Sequence, residues 1–401
     1  MAPSDIDMNL QGPVQPLQQE ENEHIFRYTQ TIKLKNALEK AGRDFRSDVV
    51  TVPTEGMMQA IIDASVGDDI YDPEGDASVN ALQDKLIELS GKEAALWTLS
   101  GTMGNQICLR THLTQPPHTV LLDHRAHVQC WESGALPVFS QAAVTQVHPK
   151  NGVHLTLEDV KRNMIADGNK NTLSGTILPL KDAKEISDFV RNFPVPADQK
   201  PIAMHLDGAR LFDAVAAEGV DIKEYCACFD SISFCLAKGV GAPMGSVIVG
   251  NKRFIERAKW FRKMFGGGTR QVLKLLLSTM PGMMAAAASA ALDYTLHRLF
   301  AVHAMTARVA KEFELMGYKF ALPVQTNMIV LDLEVVGIPG AAFVGYCKDN
   351  EVTVFPNERL VFHHQTSSDG VSRLLKALAQ LIRDKVAGAD LMDHKVTGGY
   401  T

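Results

Sequence analysis

The sequence has little of what marks several classes of protein. Only six of its 401 residues are cysteines, and they are scattered, which argues against the disulfide framework of a small secreted domain. The formal net charge is −6 at pH 7, so neither a nucleic-acid partner nor an anionic membrane surface is expected. The most apolar stretch, residues 272–292, contains Lys274, Ser278 and Pro281, and its uninterrupted part is too short to span a bilayer.

Export signals and metal-ligand patterns are also missing. Residues 1–24 are polar and acidic, without the charged-then-apolar pattern of a signal peptide or the arginine-rich pattern of a transit peptide. The pair Cys226-Ala-Cys228 has no second C-x-x-C and no nearby H-x-x-x-H. We therefore interpret these cysteines as buried thiols instead of zinc ligands. The resulting expectation is a cytoplasmic protein without a metal site.

The chain is long enough for two domains. Residues 1–44 are rich in Gln, Glu and Pro and are predicted to be an N-terminal arm with a helix over residues 25–42. In residues 45–281, short apolar runs alternate with helical patterns, which favours an α/β domain with a large, mostly parallel sheet. A smaller C-terminal α+β domain is predicted for residues 282–388, followed by a loose tail, 389–401.

Short apolar runs predict the strands of the large domain. They cover residues 94–99, 119–122, 143–147, 201–206, 231–236 and 245–250. In open α/β sheets, ligands bind beyond the carboxyl ends of the strands. Polar residues that directly follow these runs are therefore the candidates for a binding site.

Three polar groups follow predicted strands. Gly101 and Thr102 open a predicted helix, whose first N–H groups suit a phosphate, while Asp207 and Lys238 follow two other strands. Each has an ordinary alternative explanation, since Thr102 and Asp207 are common at helix starts and Lys238 could be a solvated amine. Together they suit a ligand with a phosphate, a ring nitrogen that pairs with an anion and an aldehyde that reacts with an amine. That ligand is pyridoxal phosphate.

Eleven segments of the chain occur in an order typical of one enzyme family. They are RSDVVTVPTEGM, GDDIY, VNALQDKLIELSGKEAALW, SGTMGN, HRAHVQCWESGA, NTLSGTILPL, HLDGARLFDA, FDSISFCLAKGVGAPMGSVIVG, RKMFGGGTRQ, TNMIVLDL and RLVFHH. From about residue 45 to 384 the chain thereby resembles the L-threonine aldolase (β-eliminating lyase) family of fold-type-I pyridoxal-phosphate enzymes. The resemblance implies a transferase-like fold of this type and pyridoxal phosphate as the cofactor.

The resemblance assigns roles around that cofactor. Lys238 stands at the position of the lysine that joins the cofactor aldehyde, and Asp207 at that of the acid that pairs with the pyridine nitrogen. Gly101 and Thr102 match phosphate-binding positions. His127 matches an imidazole that stacks on the cofactor ring and is a candidate to handle the proton of the substrate hydroxyl. Lys238, His127 and Asp207 are thus the expected catalytic residues.

The resemblance also assigns substrate contacts. Ser47, Arg210 and Arg359 match groups that hold the substrate carboxylate, for which a planar guanidinium is well suited. Arg210 also counts among the expected cofactor contacts, and Tyr71 matches a residue near the substrate. Arg270 matches an arginine that reaches a cofactor phosphate from a neighbouring subunit. A homo-oligomer, dimer or tetramer, and an amino-acid substrate are therefore implied.

The implied reaction is the cleavage of L-threonine or allo-threonine, or another β-hydroxy amino acid, to glycine and an aldehyde. Such a lyase would serve threonine catabolism and glycine biosynthesis. Two alternatives stay open. One is an amino-acid racemase of the same family, which breaks Cα–H instead of Cα–Cβ, and the other is a catalytically impaired paralogue.

The alternative of an impaired paralogue depends on departures from the family pattern. The family has an apolar strand ending in Glu-Asn-Thr before the place of Asn171, whereas here no such strand precedes it and Lys170 occupies the glutamate position. A central parallel strand supplies two ladders of hydrogen bonds, so its loss is costly unless residues 173–178 take its place. In addition, an apolar insertion covers residues 272–281, and Thr269 replaces a common methionine.

Overall fold

The computed structural model describes most of the chain. The residues described are 32–65, 67–69, 75–164, 177–197, 199–268, 281–389 and 391. Most of the predicted N-terminal arm, the tail beyond residue 391, residues 165–176 and the 272–280 part of the insertion lie outside them, so the predictions for these segments stay untested.

Helices and strands alternate through the first two thirds of the chain. The helices are α1 (Ile32–Gly42), α2 (Glu55–Asp63), α3 (Ala77–Ser90), α4 (Gly101–His112), α5 (His127–Cys130), α6 (Ala135–Ser140), α7 (Leu157–Asn163), α8 (Leu180–Arg191), α9 (Leu211–Glu218), α10 (Ile222–Ala227), α11 (Lys252–Met264), α12 (Pro281–Thr295), α13 (Leu299–Leu315), α14 (Leu333–Val336), α15 (Gly340–Asp349) and α16 (Ser368–Val386), with 3₁₀ helices at Asp48–Val50 and Leu296–Arg298. The strands are β1 (Ala94–Thr98), β2 (His118–Asp123), β3 (Ala142–Val147), β4 (His205–Gly208), β5 (Ser231–Cys235), β6 (Ser246–Gly250), β7 (Met328–Val330) and β8 (Arg359–Val361). None of the described helices combines the length and the apolar character that a membrane crossing requires.

Strands β1 to β6 form two separate sheets, of which the larger is mixed. The larger sheet has the order β1-β6-β5-β4, and the other consists of β2 and β3. β4 runs parallel to β5 and β2 parallel to β3, whereas β6 is antiparallel to both of its neighbours. The α/β architecture is thus as predicted, but the strands are not mostly parallel, since the described strands of this region form two parallel and two antiparallel pairs. Among the described residues, none between 148 and 204 forms a strand that could join β4 to β2.

Helix α4 shows how the sequence positions one edge of the site. The Ser100 side chain accepts a hydrogen bond from the N–H of Met103 at 3.1 Å, so the helix begins at Gly101, directly after the strand that precedes it. A serine cap of this kind contributes about 1 kcal/mol to stability. The helix then packs across the strands β4, β5 and β6. Since α4 follows β1, which runs in the same direction as β4 and β5, its N-terminus lies at the end of the sheet where β4 and β5 stop.

Two hydrophobic cores underlie the fold. The larger joins the four-stranded sheet to the helices on it and includes α12, which packs against α2 and α3. The second begins at Val302, contains β7, β8 and the helices from α13 to α16, and also takes up Phe45 from the start of the chain. Cys226 and Cys228 are both buried in the larger core. The domain boundaries proposed from the sequence stay predictions.

Candidate active site

A cavity of about 360 Å³ opens beyond the carboxyl end of β4. Five of the residues expected from the sequence line it together, namely His127, Asp207, Arg210, Lys238 and Arg359. Apolar residues form another part of its wall, among them Leu155, Leu178, Leu206, Leu322 and Val330. The cavity thus combines charged groups of both signs with an apolar lining, as small-molecule sites commonly do.

Lys238 lies in a tight loop that connects β5 to β6. The loop is closed by hydrogen bonds from the N–H of Leu236 to the carbonyl of Gly245 (3.1 Å) and from the N–H of Gly241 to the carbonyl of Lys238 (2.7 Å). Gly245 has a φ of +99°, and a Cβ there would lie 1.8 Å from the Trp97 ring, so only glycine fits. The glycines around the lysine therefore allow a turn that holds it at the end of a fully buried strand. Among the described residues, its amine forms no hydrogen bond.

Arg210 is held by a carboxylate that the sequence analysis did not single out. Asp48 accepts hydrogen bonds from Arg210 Nε at 2.8 Å and Nη2 at 2.7 Å, and it is completely buried. Burial by itself raises the pKa of Asp48, but the charge and hydrogen bonds of Arg210 and the charge of Lys238 outweigh it, so the pKa is lowered. Asp48 is thus ionised and fixes the guanidinium in a bidentate pair.

Arg359 brings a second guanidinium to the same place. Its Nη2 donates to the carbonyl of Arg46 at 3.4 Å, whereas its Nε is buried without a partner among the described residues. Burial and the charge of Arg210 lower the pKa of Arg359. Because a buried donor without a partner is costly, the two neighbouring guanidiniums make this part of the cavity a site for an anion.

We expect Asp48→Asn to lower the free energy of unfolding, because Asp48 holds the Arg210 guanidinium. Removing one partner of a buried ion pair leaves the other charge uncompensated, which lowers the free energy of unfolding by about 3 kcal/mol. Urea denaturation measures this loss. Asp369→Asn is the matched control, because the Asp369 side chain is 52% exposed and bound to two arginines, so the loss of free energy of unfolding is expected to be much smaller than in Asp48→Asn. Equal losses in the two variants would contradict a buried, structural role for Asp48.

His127 and Asp207 face the cavity from different elements. His127 begins α5, and its Nδ1 lies 2.9 Å from Oε1 of Glu132. Asp207 lies in β4 and accepts a hydrogen bond from the N–H of Ala209 at 3.2 Å. One ring nitrogen of His127 and one oxygen each of Glu132 and Asp207 all lie within 4.8 Å of one another. An imidazole is thereby placed beside two carboxylates, one of which, Glu132, was not anticipated.

The remaining expected residues lie at the margin of the site or outside the described chain. Gly101 is next to the end of β5, since a Cβ on it would lie 3.7 Å from Cys235 Sγ, but neither it nor Thr102 lines this cavity. Ser47 lies beside Asp48, to which its hydroxyl donates at 3.4 Å, and is also absent from the wall. Tyr71 and Arg270 are outside the described residues, so their roles stay predictions.

Comparisons with known proteins define the family. The model of the β-eliminating lyase family matches residues 44–335. A low-specificity L-threonine aldolase of Candida albicans is 38% identical over 353 residues, which cover 84% of this chain and 90% of that protein. An alanine racemase, TOXG, of Cochliobolus carbonum is 32% identical over 359 residues, covering 85% and 87% of the two chains.

The fold is shared with solved structures. The threonine aldolase of Leishmania major superposes with a TM-score of 0.64 at 16% identity, covering 84% of this chain and 99% of that one. The expected fold class is therefore confirmed. Membership of the β-eliminating lyase family supports pyridoxal phosphate as the cofactor. The chain belongs to the β-eliminating lyase family of fold-type-I pyridoxal-phosphate enzymes.

Proposed function

We propose that this protein cleaves L-threonine, and related β-hydroxy amino acids, to glycine and an aldehyde. The observation that carries the proposal is the single cavity that combines the Lys238 amine, the Asp207 carboxylate, the His127 imidazole and the guanidiniums of Arg210 and Arg359. Relatives 36–39% identical over most of the chain carry the name low-specificity L-threonine aldolase, which supports this substrate class.

The residues in the cavity fit pyridoxal phosphate. Lys238 offers an amine without a hydrogen-bond partner among the described residues, which suits a reaction with the cofactor aldehyde. Asp207 offers a carboxylate for the ring nitrogen. Outside the cavity wall, the first N–H groups of α4, at Gly101 and Thr102, would be donors to a phosphate. When bound, the cofactor supplies a sink for the electron pair released at Cα.

The two arginines orient the substrate. The unpaired Nε of Arg359 and the fixed guanidinium of Arg210 suit a carboxylate, which has the planar shape that guanidiniums recognise. With the carboxylate held there, the amino group of the substrate lies in the cavity that Lys238 lines. Holding the substrate in one orientation reduces the entropy that the reaction must lose, which contributes directly to the rate.

His127 moves the proton that starts the cleavage. Its imidazole accepts the proton of the β-hydroxyl as the Cα–Cβ bond breaks, so that the oxygen becomes the carbonyl of the departing aldehyde. The electron pair of that bond stays at Cα, which then takes up a proton to become the methylene group of glycine.

The first test is to incubate the purified, cofactor-loaded protein with L-threonine. We expect glycine and acetaldehyde in equal amounts, with acetaldehyde detected by a coupled alcohol dehydrogenase and glycine by chromatography. Because one relative is named an alanine racemase, a second outcome is to be tested. In that outcome the configuration at Cα of the amino acid changes and no acetaldehyde is formed. Neither product with a folded, cofactor-loaded protein would indicate the impaired paralogue.

The oligomeric state, metabolic role and compartment of the enzyme belong to the same proposal. We infer a homo-oligomer, dimer or tetramer, in which Arg270 of one subunit reaches the cofactor phosphate of its neighbour, and a role in threonine catabolism and glycine biosynthesis in the cytoplasm. Exposed aromatic side chains support a subunit contact, since Trp131, on the wall of the cavity, is 74% exposed and Trp260 is 79% exposed.

A further inference from the structure

Glu132 is a buried carboxylate without a permanent positive partner. Its side chain is fully buried, and among the described residues no lysine or arginine pairs with it. It accepts hydrogen bonds from Asn105 Nδ2 at 3.0 Å and from Gln106 Nε2 at 2.6 Å, and His127 Nδ1 lies 2.9 Å from it. Such a site is unfavourable for an isolated charge, so the position needs an explanation beyond packing.

A series of hydrogen bonds connects His112 to Glu132. His112 Nε2 lies 2.8 Å from the Ser231 hydroxyl, which lies 2.9 Å from His205 Nδ1. His205 Nε2 in turn lies 3.1 Å from Asn105 Oδ1, and the amide nitrogen of Asn105 donates to Glu132. One assignment of protons satisfies every member, with each group donating toward Glu132.

Both histidines in this series of hydrogen bonds are neutral, and the assignment requires this of His205, which accepts at Nδ1 and donates at Nε2. Burial lowers the pKa of His205 to about 3 and that of His112 to about 4. Each ring therefore carries one proton, which the assignment above places on Nε2 of both histidines. The series orients Asn105 but brings no positive charge to the carboxylate. Among the described residues, His127 is then the one hydrogen-bonded partner of Glu132 that is able to become a cation.

We propose that Glu132 is a positioning residue for His127. It holds the proton of the imidazole on Nδ1, turns Nε2 toward substrate in the cavity, and stabilises the imidazolium that forms when Nε2 accepts the hydroxyl proton. A carboxylate that orients a histidine in this way is a recurring device in enzymes that move protons. The proposal rests on the aldolase function, but the placement of the proton on Nδ1 is independent of it.

The variant Glu132→Gln tests the role of the charge. It has nearly the shape of glutamate, and the Oε1 of Gln106, which is buried without a partner, can accept from the new amide after a flip of the Gln106 side chain. We expect kcat for threonine cleavage to fall about 10²-fold, the usual scale of general base catalysis. KM and the affinity for pyridoxal phosphate are expected to stay within about twofold. The hydrogen bonds of Glu132 go to Asn105, Gln106 and His127 and not to either of the two arginines that we assign to the substrate carboxylate.

A double-mutant cycle separates positioning from a structural role. In a His127→Asn background, Glu132→Gln should change kcat less than about twofold, because the residue through which it acts is gone. An equal loss of kcat in both backgrounds would overturn the proposal. Glu218→Gln is the control, since Glu218 is a partly buried carboxylate that accepts from Leu180 N–H at 3.1 Å, and it should leave kcat unchanged.

¹⁵N NMR of the histidines in the holoenzyme gives a readout that does not depend on turnover. The His127 signal, assigned by its absence in His127→Asn, should show a proton on Nδ1 in the wild type and should shift in Glu132→Gln. A wild-type signal with the proton on Nε2 alone would exclude the proposal, even if the variant did not fold. If threonine were not cleaved but the Nδ1 proton were found, the function would fail while the positioning would stand.

Discussion

Lys238→Ala is expected to lower kcat for threonine cleavage by about 10⁴-fold or more, since removal of a nucleophile that acts in concert with its neighbours has effects of this order. The lysine lies at the end of a buried strand, in a turn that its glycines make possible, and no other lysine lines the cavity among the described residues. In the part of the chain that the structure describes, no other lysine amine is therefore in place to react with the cofactor aldehyde.

Visible absorbance before and after borohydride measures the same event without turnover. The wild type should be yellow and should keep the cofactor covalently after reduction, whereas Lys238→Ala should release it on denaturation. Lys252→Ala, at the exposed start of α11, serves as the control and should behave as the wild type. A Lys238→Ala protein that still retained the cofactor after reduction would place the reactive amine elsewhere.

Asp207→Ala should be nearly as damaging, with turnover lost although the cofactor still binds through Lys238. Without a carboxylate at the ring nitrogen, the positive charge that makes the ring an electron sink is no longer stabilised. Electrostatic stabilisation of this kind is commonly worth 10²- to 10³-fold or more in rate. Single-turnover measurements on the holoenzyme separate this loss from a change in threonine binding.

The control for that variant is Asp221→Ala. Asp221 caps α10 by accepting from the N–H of Lys223 at 2.8 Å, so its loss should cost about 1 kcal/mol of stability and little activity. Undiminished turnover in Asp207→Ala would refute the assignment of Asp207 to the ring nitrogen.

Much of the large domain could be predicted from apolar runs, but not the direction of its strands. The runs located β1 to β6, yet the period of a strand contains no information on whether it runs parallel to its neighbour, so the antiparallel β6 could not be foreseen. β4 begins at His205 instead of residue 201. Just before it, the carbonyl of Met204 accepts from the N–H groups of Asp230 and Ser231, and the N–H of Met204 donates to the Asp230 side chain, so the backbone of Met204 is already occupied where the ladder starts.

The lining of the cavity could be predicted where a residue follows a strand, but not where a buried carboxylate pairs with another side chain. Lys238 and Asp207 follow apolar runs, and this placement together with the family pattern pointed to them. Asp48 pairs with an arginine 162 positions away, and the partners Asn105 and Gln106 of Glu132 are 27 and 26 positions distant. Both acids lie inside segments that the sequence analysis had singled out, but nothing in a single sequence shows which carboxylate faces which partner.

The position of Asp48 has a consequence for how the protein responds to its substrate. The segment that carries it is anchored in the second core by Phe45, whose N–H donates to the carbonyl of Thr353 at 2.9 Å, whereas Arg210 precedes a helix of the larger core. Arg359 begins β8, and β8 contributes Leu360 to the second core. An amino acid that binds both arginines, as we propose for the substrate, therefore connects the two cores. Its binding is then expected to raise the free energy of unfolding of the whole chain.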